Sequence, residues 1–297
     1  MKNIPRDSKV LQILHSDLDG SVCGVILSHV FDNIKILDTS FYRIDTVLEN
    51  VNFDEYDFVF LTDISPEDKS KLNLSDKIIL LDHHNSSIES NDPSKMHYVV
   101  NGNCAAYLVK KFVEKYYKMD LSHLNDLVEL TNVYDMWNKE DPRFSYAKKL
   151  NDVMFFLYRP RKFREKFFDG RTTFTKEEEE WLVEREKKFE RLYDELEVFE
   201  FEKINGCVTQ GYEFINEIAD KLMDEEGYQF VIVRNPKHGR ISVRSRYEEL
   251  DAGGLLKKLG IGGGHEKSAG GFSSDLNDFR NKVEIIEDEV YKIVKGN

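Results

Sequence analysis

Three stretches in the first third of the chain share one pattern: an apolar run with few polar breaks that ends in carboxylate or imidazole side chains. They are KVLQILHSDLDG (residues 9–20), YDFVFLTDIS (56–65) and KIILLDHHNS (77–86). Near-continuous Val, Ile, Leu and Phe predicts strands buried on both faces, as in a parallel sheet covered by helices. IKILDTSFYR (34–43) is a fourth candidate strand, and SVCGVILSHVFDN after Gly20 predicts an intervening helix. This alternation is that of an α/β fold. In such sheets ligands bind beyond the carboxyl ends of the strands, where the polar residues of all three runs sit.

After the third run the apolar spacing changes to three and four residues, which predicts helices in AAYLVKKFVEKYY from Ala105, in LSHLNDLVELTNVYDMW and across residues 151–168. Tyr107, Phe155, Phe156 and Tyr158 recur at helical spacing and are expected in the core, with base stacking the alternative. Residues 175–201 are highly charged yet carry Trp181, Leu182, Phe189, Leu192 and Leu196 at helical intervals, the pattern of a long connecting helix. The glutamates at 177–180 suit its N-terminal turn, where the macrodipole favours negative charge. From about Gly206 the order becomes strand, helix, hairpin, helix, strand and helix, with a concentration of glycine in residues 253–271. The expected architecture is a parallel-sheet α/β domain with helices on both faces over residues 1–175, a connecting helix over 176–205, and a smaller α/β domain over 206–297.

Composition narrows the function. With 297 residues and 40% hydrophobic content, the chain is long enough for a substantial core and is neither disordered nor fibrous. Cys23, Cys104 and Cys207 are far apart, so neither a disulfide framework nor a C-x-x-C zinc site is expected, which suits a reducing compartment. The start, MKNIPRDSKV, lacks a secretory signal pattern, and no apolar run reaches transmembrane length, so a cytoplasmic protein without a membrane partner is expected. A formal charge of −13 argues against a uniformly basic nucleic-acid-coating surface. Any phosphate-bearing substrate must be met locally.

The strand ends supply candidate chemistry. In His15-Ser-Asp17-Leu-Asp19-Gly20, alternate residues of an extended segment point the same way, so His15, Asp17 and Asp19 can present three ligands to one side. Carboxylates that close repel one another, a conflict that a divalent cation removes. Asp63 ends the second run, and Asp82-His83-His84 the third. Oxygen-rich ligands with one or two imidazoles suit Mn²⁺ or a similar cation better than thiolate-rich zinc sites do. A carboxylate shared between two ions could hold them about 3.5–4 Å apart, and Asp63 is the candidate bridge. One D-x-D or one His pair is a weak signal; three strand ends carrying ligand-type residues in one α/β domain are a strong one.

These residues resemble the DHH phosphoesterases, a family that includes RecJ-type exonucleases, nanoRNase-type oligoribonucleases, cyclic-dinucleotide phosphodiesterases and manganese pyrophosphatases. Asp82-His83-His84 is similar to the motif that names the family. The resemblance implies two divalent ions, Mn²⁺ foremost. Their ligands would be Asp17, Asp19, Asp63, His83 and an aspartate on the following helix, with His84 beside the scissile phosphate. Asp135, in NVYDMW, is the match for that helical aspartate, and Asp126 is its competitor. His15 lies two residues before Asp17, where several members carry a histidine four residues before and RecJ-type members an aspartate at this spacing.

The second domain extends the resemblance. Gly262-Gly263-Gly264-His265 with the following Ala269-Gly270-Gly271 is similar to the glycine-rich signature of the DHH-associated substrate domain, and ISVRSR, with Arg244 and Ser245, to the strand before it. Glycines let backbone N–H groups approach a phosphate, while Arg244 and His265 can donate to its oxygens across an interdomain cleft. Residues 231–246 hold five Lys and Arg and no acidic residue, a positive strip in an acidic chain.

The implied activity is metal-dependent hydrolysis of phosphodiester bonds in short oligonucleotides, single-stranded nucleic acid or dinucleotides, with Asp63 and His84 in catalytic roles. A cyclic-dinucleotide phosphodiesterase and a RecJ-like exonuclease are the neighbouring alternatives; a catalytically silent nucleotide-binding scaffold is the alternative of another class.

Overall fold

The computed structural model describes residues 4–264 and 266–295, so His265 lies outside the described residues. The chain divides into two compact units, residues 1–182 and 183–297.

In the first unit the strands are β1 (Val10–His15), β2 (Ile34–Thr39), β3 (Phe58–Thr62), β4 (Ile78–Asp82) and β5 (His97–Val99). They form a wholly parallel sheet in the order β2-β1-β3-β4-β5. All residues of β4 and all but the first of β3 are buried, because these central strands have a layer on each face. Val22, Val25, Ile26, Phe60, Ile79 and Leu81 join one layer, while Leu11, Ile13, Ile44, Leu48, Leu61 and Leu80 join the other. The chain reverses its direction of travel across the sheet between β1 and β3, the switch point at which open α/β sheets present a crevice.

Helix α1 (Leu18–Ser28) begins directly after β1, α2 (Ile44–Glu49) follows β2, and α3 (Ala105–Tyr117) follows β5. Next come α4 (Asn125–Asp135) and α5 (Phe144–Asp152), a π-helical turn (Val153–Tyr158) and α6 (Arg159–Lys166). The helix expected over residues 151–168 is thus the tail of α5, a wide turn and a second short helix. The break falls where Arg159 adopts φ +66° just before Pro160, a pairing that no continuous α-helix accommodates. Phe155 and Phe156 are exposed rather than core, as is Tyr107 at the margin, whereas Tyr158 packs against the core layer.

Helix α7 (Lys176–Asp194) is shorter than the connecting helix expected over 176–205. Its extension is replaced by β6 (Val198–Glu200), whose Val-Phe-Glu alternation suits an edge strand better than a helix. Glu178 is a capping-box acid: it accepts from Thr175 N at 2.7 Å while its own N–H donates to Thr175 Oγ1 at 3.3 Å.

The second unit continues with β7 (Gly206–Gln210), α8 (Ile215–Glu225), β8 (Phe230–Arg234), β9 (Arg240–Ser245), α9 (Ala252–Lys258), β10 (Gly262–Gly264), β11 (Ser268–Phe272) and α10 (Leu276–Lys295). Its sheet has the order β10-β11-β9-β8-β7-β6 and is antiparallel except for β7 with β8, which α8 connects. Alternation along β9 buries Ile241, Val243 and Ser245 and leaves Ser242 and Arg244 on the other face. No helix among the described residues is long and apolar enough to cross a membrane.

Candidate metal centre

The cluster forms where β1, β3 and β4 end, joined by the C-terminus of α4. Gly20 makes the turn from β1 into α1 feasible: a Cβ there would lie 2.0 Å from the carbonyl oxygen of His15. Asp17 caps α1, accepting from Gly20 N at 3.0 Å through Oδ1, while Oδ2 faces His15 Nδ1 at 2.5 Å. Asp19, already inside the helix, is buried and points across to α3, whose first amides hold it: Ala105 N donates to Oδ2 at 2.6 Å and Ala106 N to Oδ1 at 2.7 Å. A helix N-terminus thereby stabilises one carboxylate of the cluster.

Asp63 occupies the centre. It adopts φ +59°, a left-handed conformation that aspartate tolerates better than most residues and that turns the chain sharply after β3. Its N–H donates to Leu81 O at 3.0 Å, which pins the strained residue to β4. Its two oxygens face opposite groups: Oδ1 is 3.3 Å from His83 Nε2 and 3.9 Å from His84 Nδ1, and Oδ2 is 3.7 Å from His15 Nδ1. His83 Nε2 also lies 3.4 Å from Asp135 Oδ2 and 3.7 Å from Asp19 Oδ2. Three ligand sets result: His15, Asp17 and Asp63; Asp63, His83 and His84; Asp19, His83 and Asp135. Asp126, by contrast, lies in the exposed first turn of α4, at the end opposite Asp135.

The arrangement costs energy without cations. Both oxygens of Asp63, Oδ2 of Asp82, Nε2 of His83 and Oδ2 of Asp135 are buried with no hydrogen-bond partner. Such atoms are expensive to leave unpaired, and their convergence fits divalent ions as the missing partners. Electrostatics agree. Burial, then the charges of Asp17, Asp19 and Asp135, push the Asp63 carboxyl well above the ordinary range. Burial and the charges of Asp19, Asp17 and Asp82 raise Asp135 to about 9. Burial and Asp17 raise Asp19 as well. Burial works against ionisation of Asp17 too, but the hydrogen bond and charge of His15 and the Gly20 amide outweigh it and lower Asp17 to about 2. Burial lowers the His83 imidazole, which favours the neutral form that binds cations.

Two residues beyond the expected set organise His84. Asp82 Oδ1 accepts from His84 Nδ1 at 2.7 Å and from His83 N at 2.9 Å, fixing the His84 ring through Nδ1. Burial would lower the His84 imidazole, but this bond and the Asp82 charge raise it. Phe41, in the turn after β2, packs its ring 4.5 Å from His15 and 5.1 Å from His84. The only trace of Phe41 in the sequence is an aromatic following the candidate strand. Asp82 was visible as the first member of its trio, but its orienting role was not.

In the second unit, Arg244 is half-buried and donates to Asn216 Oδ1 at 2.9 Å, Ser242 Oγ at 3.3 Å and Val243 O at 3.2 Å. No carboxylate among the described residues forms an ion pair with it, and burial lowers its pKa against the weak pull of Asp220. Other members of the basic strip are employed structurally: Arg234 donates to Ser273 Oγ and Gln210 Oε1, and Arg246 pairs with Asp224. Ser245 does not join Arg244; it is buried on the opposite face, with its Oγ accepting from Tyr247 N at 3.2 Å. Gly262, Gly263 and Gly264 form β10 against Gly271, Gly270 and Ala269, and a Cβ at Gly262 would sit 1.9 Å from Gly270 O. At Gly262 the glycine thus serves close strand packing.

Residues 213–292 match the DHHA1 domain. The chain is 23% identical over 287 residues to oligoribonuclease NrnB of Bacillus subtilis, an alignment spanning 86% of this chain and 71% of that protein. Among solved structures, the pGpG-specific phosphodiesterase PggH of Vibrio cholerae is similar with a TM-score of 0.64 at 15% identity, over 96% of this chain and all (100%) of that one. An exonuclease RecJ bound to manganese is similar with a TM-score of 0.62 at 13% identity, over 96% of this chain and 90% of the other. Residues 213–292 thus match a DHHA1 domain, and the chain shares its fold with PggH and RecJ.

Proposed function

We propose that the protein is a divalent-metal-dependent phosphodiesterase that hydrolyses short oligonucleotides, down to dinucleotides. The observation that supports this most is Asp63: a buried carboxylate on strained backbone, with both oxygens unpartnered and one facing each of two ligand sets. His15 and Asp17 with Asp63 would hold one ion; Asp19, His83 and Asp135 with Asp63 would hold the other. Mn²⁺ fits this oxygen- and imidazole-rich set. When bound, such ions neutralise charge on a phosphoryl group and acidify water.

The chain's own groups do the rest. Asp82 holds the His84 ring so that Nε2 can donate to a phosphoryl oxygen or to the leaving oxygen as the ester bond breaks. The rise in the His84 pKa favours the protonated ring that such donation needs. Arg244, half-buried and in no ion pair among the described residues, would take a phosphate of the substrate, its fork pre-set by Asn216 and Ser242. The DHHA1 match over this region and the NrnB relative favour an oligonucleotide substrate over pyrophosphate. Retention of every ligand type argues against a silent scaffold.

A mass-spectrometric substrate panel tests the reading. With Mn²⁺, a 5′-phosphorylated dinucleotide and a pentanucleotide are expected to yield mononucleotides faster than a 20-mer single strand, with a cyclic dinucleotide and pyrophosphate little changed. Cleavage of pyrophosphate alone, or of nothing, would contradict it.

A further inference from the structure

We propose that a cavity beside the metal centre is a nucleobase-stacking subsite, walled by Tyr107, Met136 and Trp137, for a nucleotide next to the bond that is cut. The proposal rests on the phosphodiesterase reading and deepens it.

The cavity has a volume of about 490 Å³ and is lined by Tyr107, Asn132, Met136, Trp137 and Arg143, among others. That is within the range of small-molecule sites, about 300–1,000 Å³. It adjoins the cluster through one covalent connection and one hydrogen bond. Met136 follows ligand Asp135, and Asn132 Oδ1 accepts from Cys104 N at 2.7 Å, one residue before the amides that hold Asp19.

Folding alone does not account for its walls. Trp137 is 46% exposed and adopts φ +52°, a conformation unfavourable for a bulky side chain. The turn closes through Trp137 N to Tyr134 O and Asn138 N to Val133 O, both at 3.0 Å, so the strain is held in place. The indole is braced edge-on by Phe144, with ring centroids 5.3 Å apart, and by Tyr134 at 5.6 Å. A ring fixed in this way loses little entropy on binding. Tyr107 and Met136 add exposed aromatic and thioether surface.

Charge selects a base rather than a phosphate for the cavity itself. Arg143 is already neutralised by Asp141 at 2.9 Å and Glu129 at 2.7 Å. Two lysines stand by the rings instead: Lys111 Nζ, which also lies 3.9 Å from Glu114 Oε2, is 5.4 Å from the Tyr107 ring centre, and Lys139 Nζ is 5.4 Å from that of Trp137. A flat uncharged ring fits between the walls with its backbone phosphates toward these lysines. Stacking tolerates any base, so little sequence preference is expected.

The test compares a 5′-phosphorylated dinucleotide with analogues abasic at the first or the second position. Trp137→Ala should raise KM for the intact dinucleotide about 5- to 100-fold, with kcat and Mn²⁺ affinity nearly unchanged. It should leave KM unaltered for one of the two abasic analogues, and Trp137→Phe should restore most of the loss. An equal loss on all three substrates, or none on the intact one, would overturn the subsite. A binding measurement keeps the test independent of catalysis. In full-length metal-free protein carrying Trp181→Phe, AMP should quench the Trp137 fluorescence saturably. No quenching would overturn the subsite, whereas quenching without hydrolysis of any substrate would uphold it and overturn the phosphodiesterase reading.

Discussion

Asp135 shows most plainly what the metal centre demands of individual residues. Its carboxyl is raised to about 9, first by burial and then by neighbouring carboxylates, whereas in an unfolded chain it titrates near ~4. The folded, metal-free protein therefore binds more protons than the unfolded chain between these values, and its stability falls as pH rises through that window. Asp63 and Asp19 act in the same direction. Asp17 and Asp82, both lowered, act in the opposite one, but their contribution is lost only as pH falls below ~4. Metal-free protein should melt at a lower temperature at pH 8 than at pH 5, and Mn²⁺ should raise the melting temperature more at pH 8. Asp135→Asn should stabilise the metal-free protein at pH 8 and weaken its response to Mn²⁺; scanning calorimetry with and without the ion reads both effects. The residues named by motif were legible because strand ends and ligand types coincide. Phe41 was not, since its contact with His15 and His84 depends on how a turn folds back over the site.

At the scale of elements, the buried strands were legible because long apolar runs admit few alternatives; β1, β3 and β4 all lie inside them. Strand β5 was not, being three residues, His97–Val99, with too short an apolar pattern to signal a sheet. Helix α3 spans the predicted AAYLVKKFVEKYY, whereas the π-helical turn between α5 and α6 depends on tertiary packing that no spacing rule captures. The β1–α1 junction carries the most consequence, since it positions His15, Asp17 and Asp19 together. A methyl group at Gly20 would collide with the His15 carbonyl, so Gly20→Ala should cost about 1–3 kcal/mol of stability, read from urea denaturation. It should also reduce Mn²⁺ affinity, which a substitution elsewhere in α1 of equal stability cost would not.

At the scale of the whole molecule, the candidate metal ligands all come from the first unit, while Arg244 and the glycine-rich hairpin belong to the second. A protein of charge −13 that acts on phosphates needs concentrated cations where the substrate sits. Arg244→Ala should raise KM for a phosphorylated dinucleotide by about tenfold or more while leaving Mn²⁺ affinity unchanged, as isothermal titration with each ligand reads. The shift of pattern near Gly206 falls at the start of β7. The division into units within α7 was hidden because a continuous helix gives no sequence signal where one core ends and the next begins. The central claim is that cations held around Asp63 make the phosphodiester bond labile, and the most direct measurement is the initial rate of 5′-phosphorylated dinucleotide hydrolysis against Mn²⁺ concentration, for the wild type and Asp63→Asn. The account predicts saturable activation of the wild type and a loss of at least about 100-fold in the variant. Equal rates for the two proteins at saturating Mn²⁺ would contradict it.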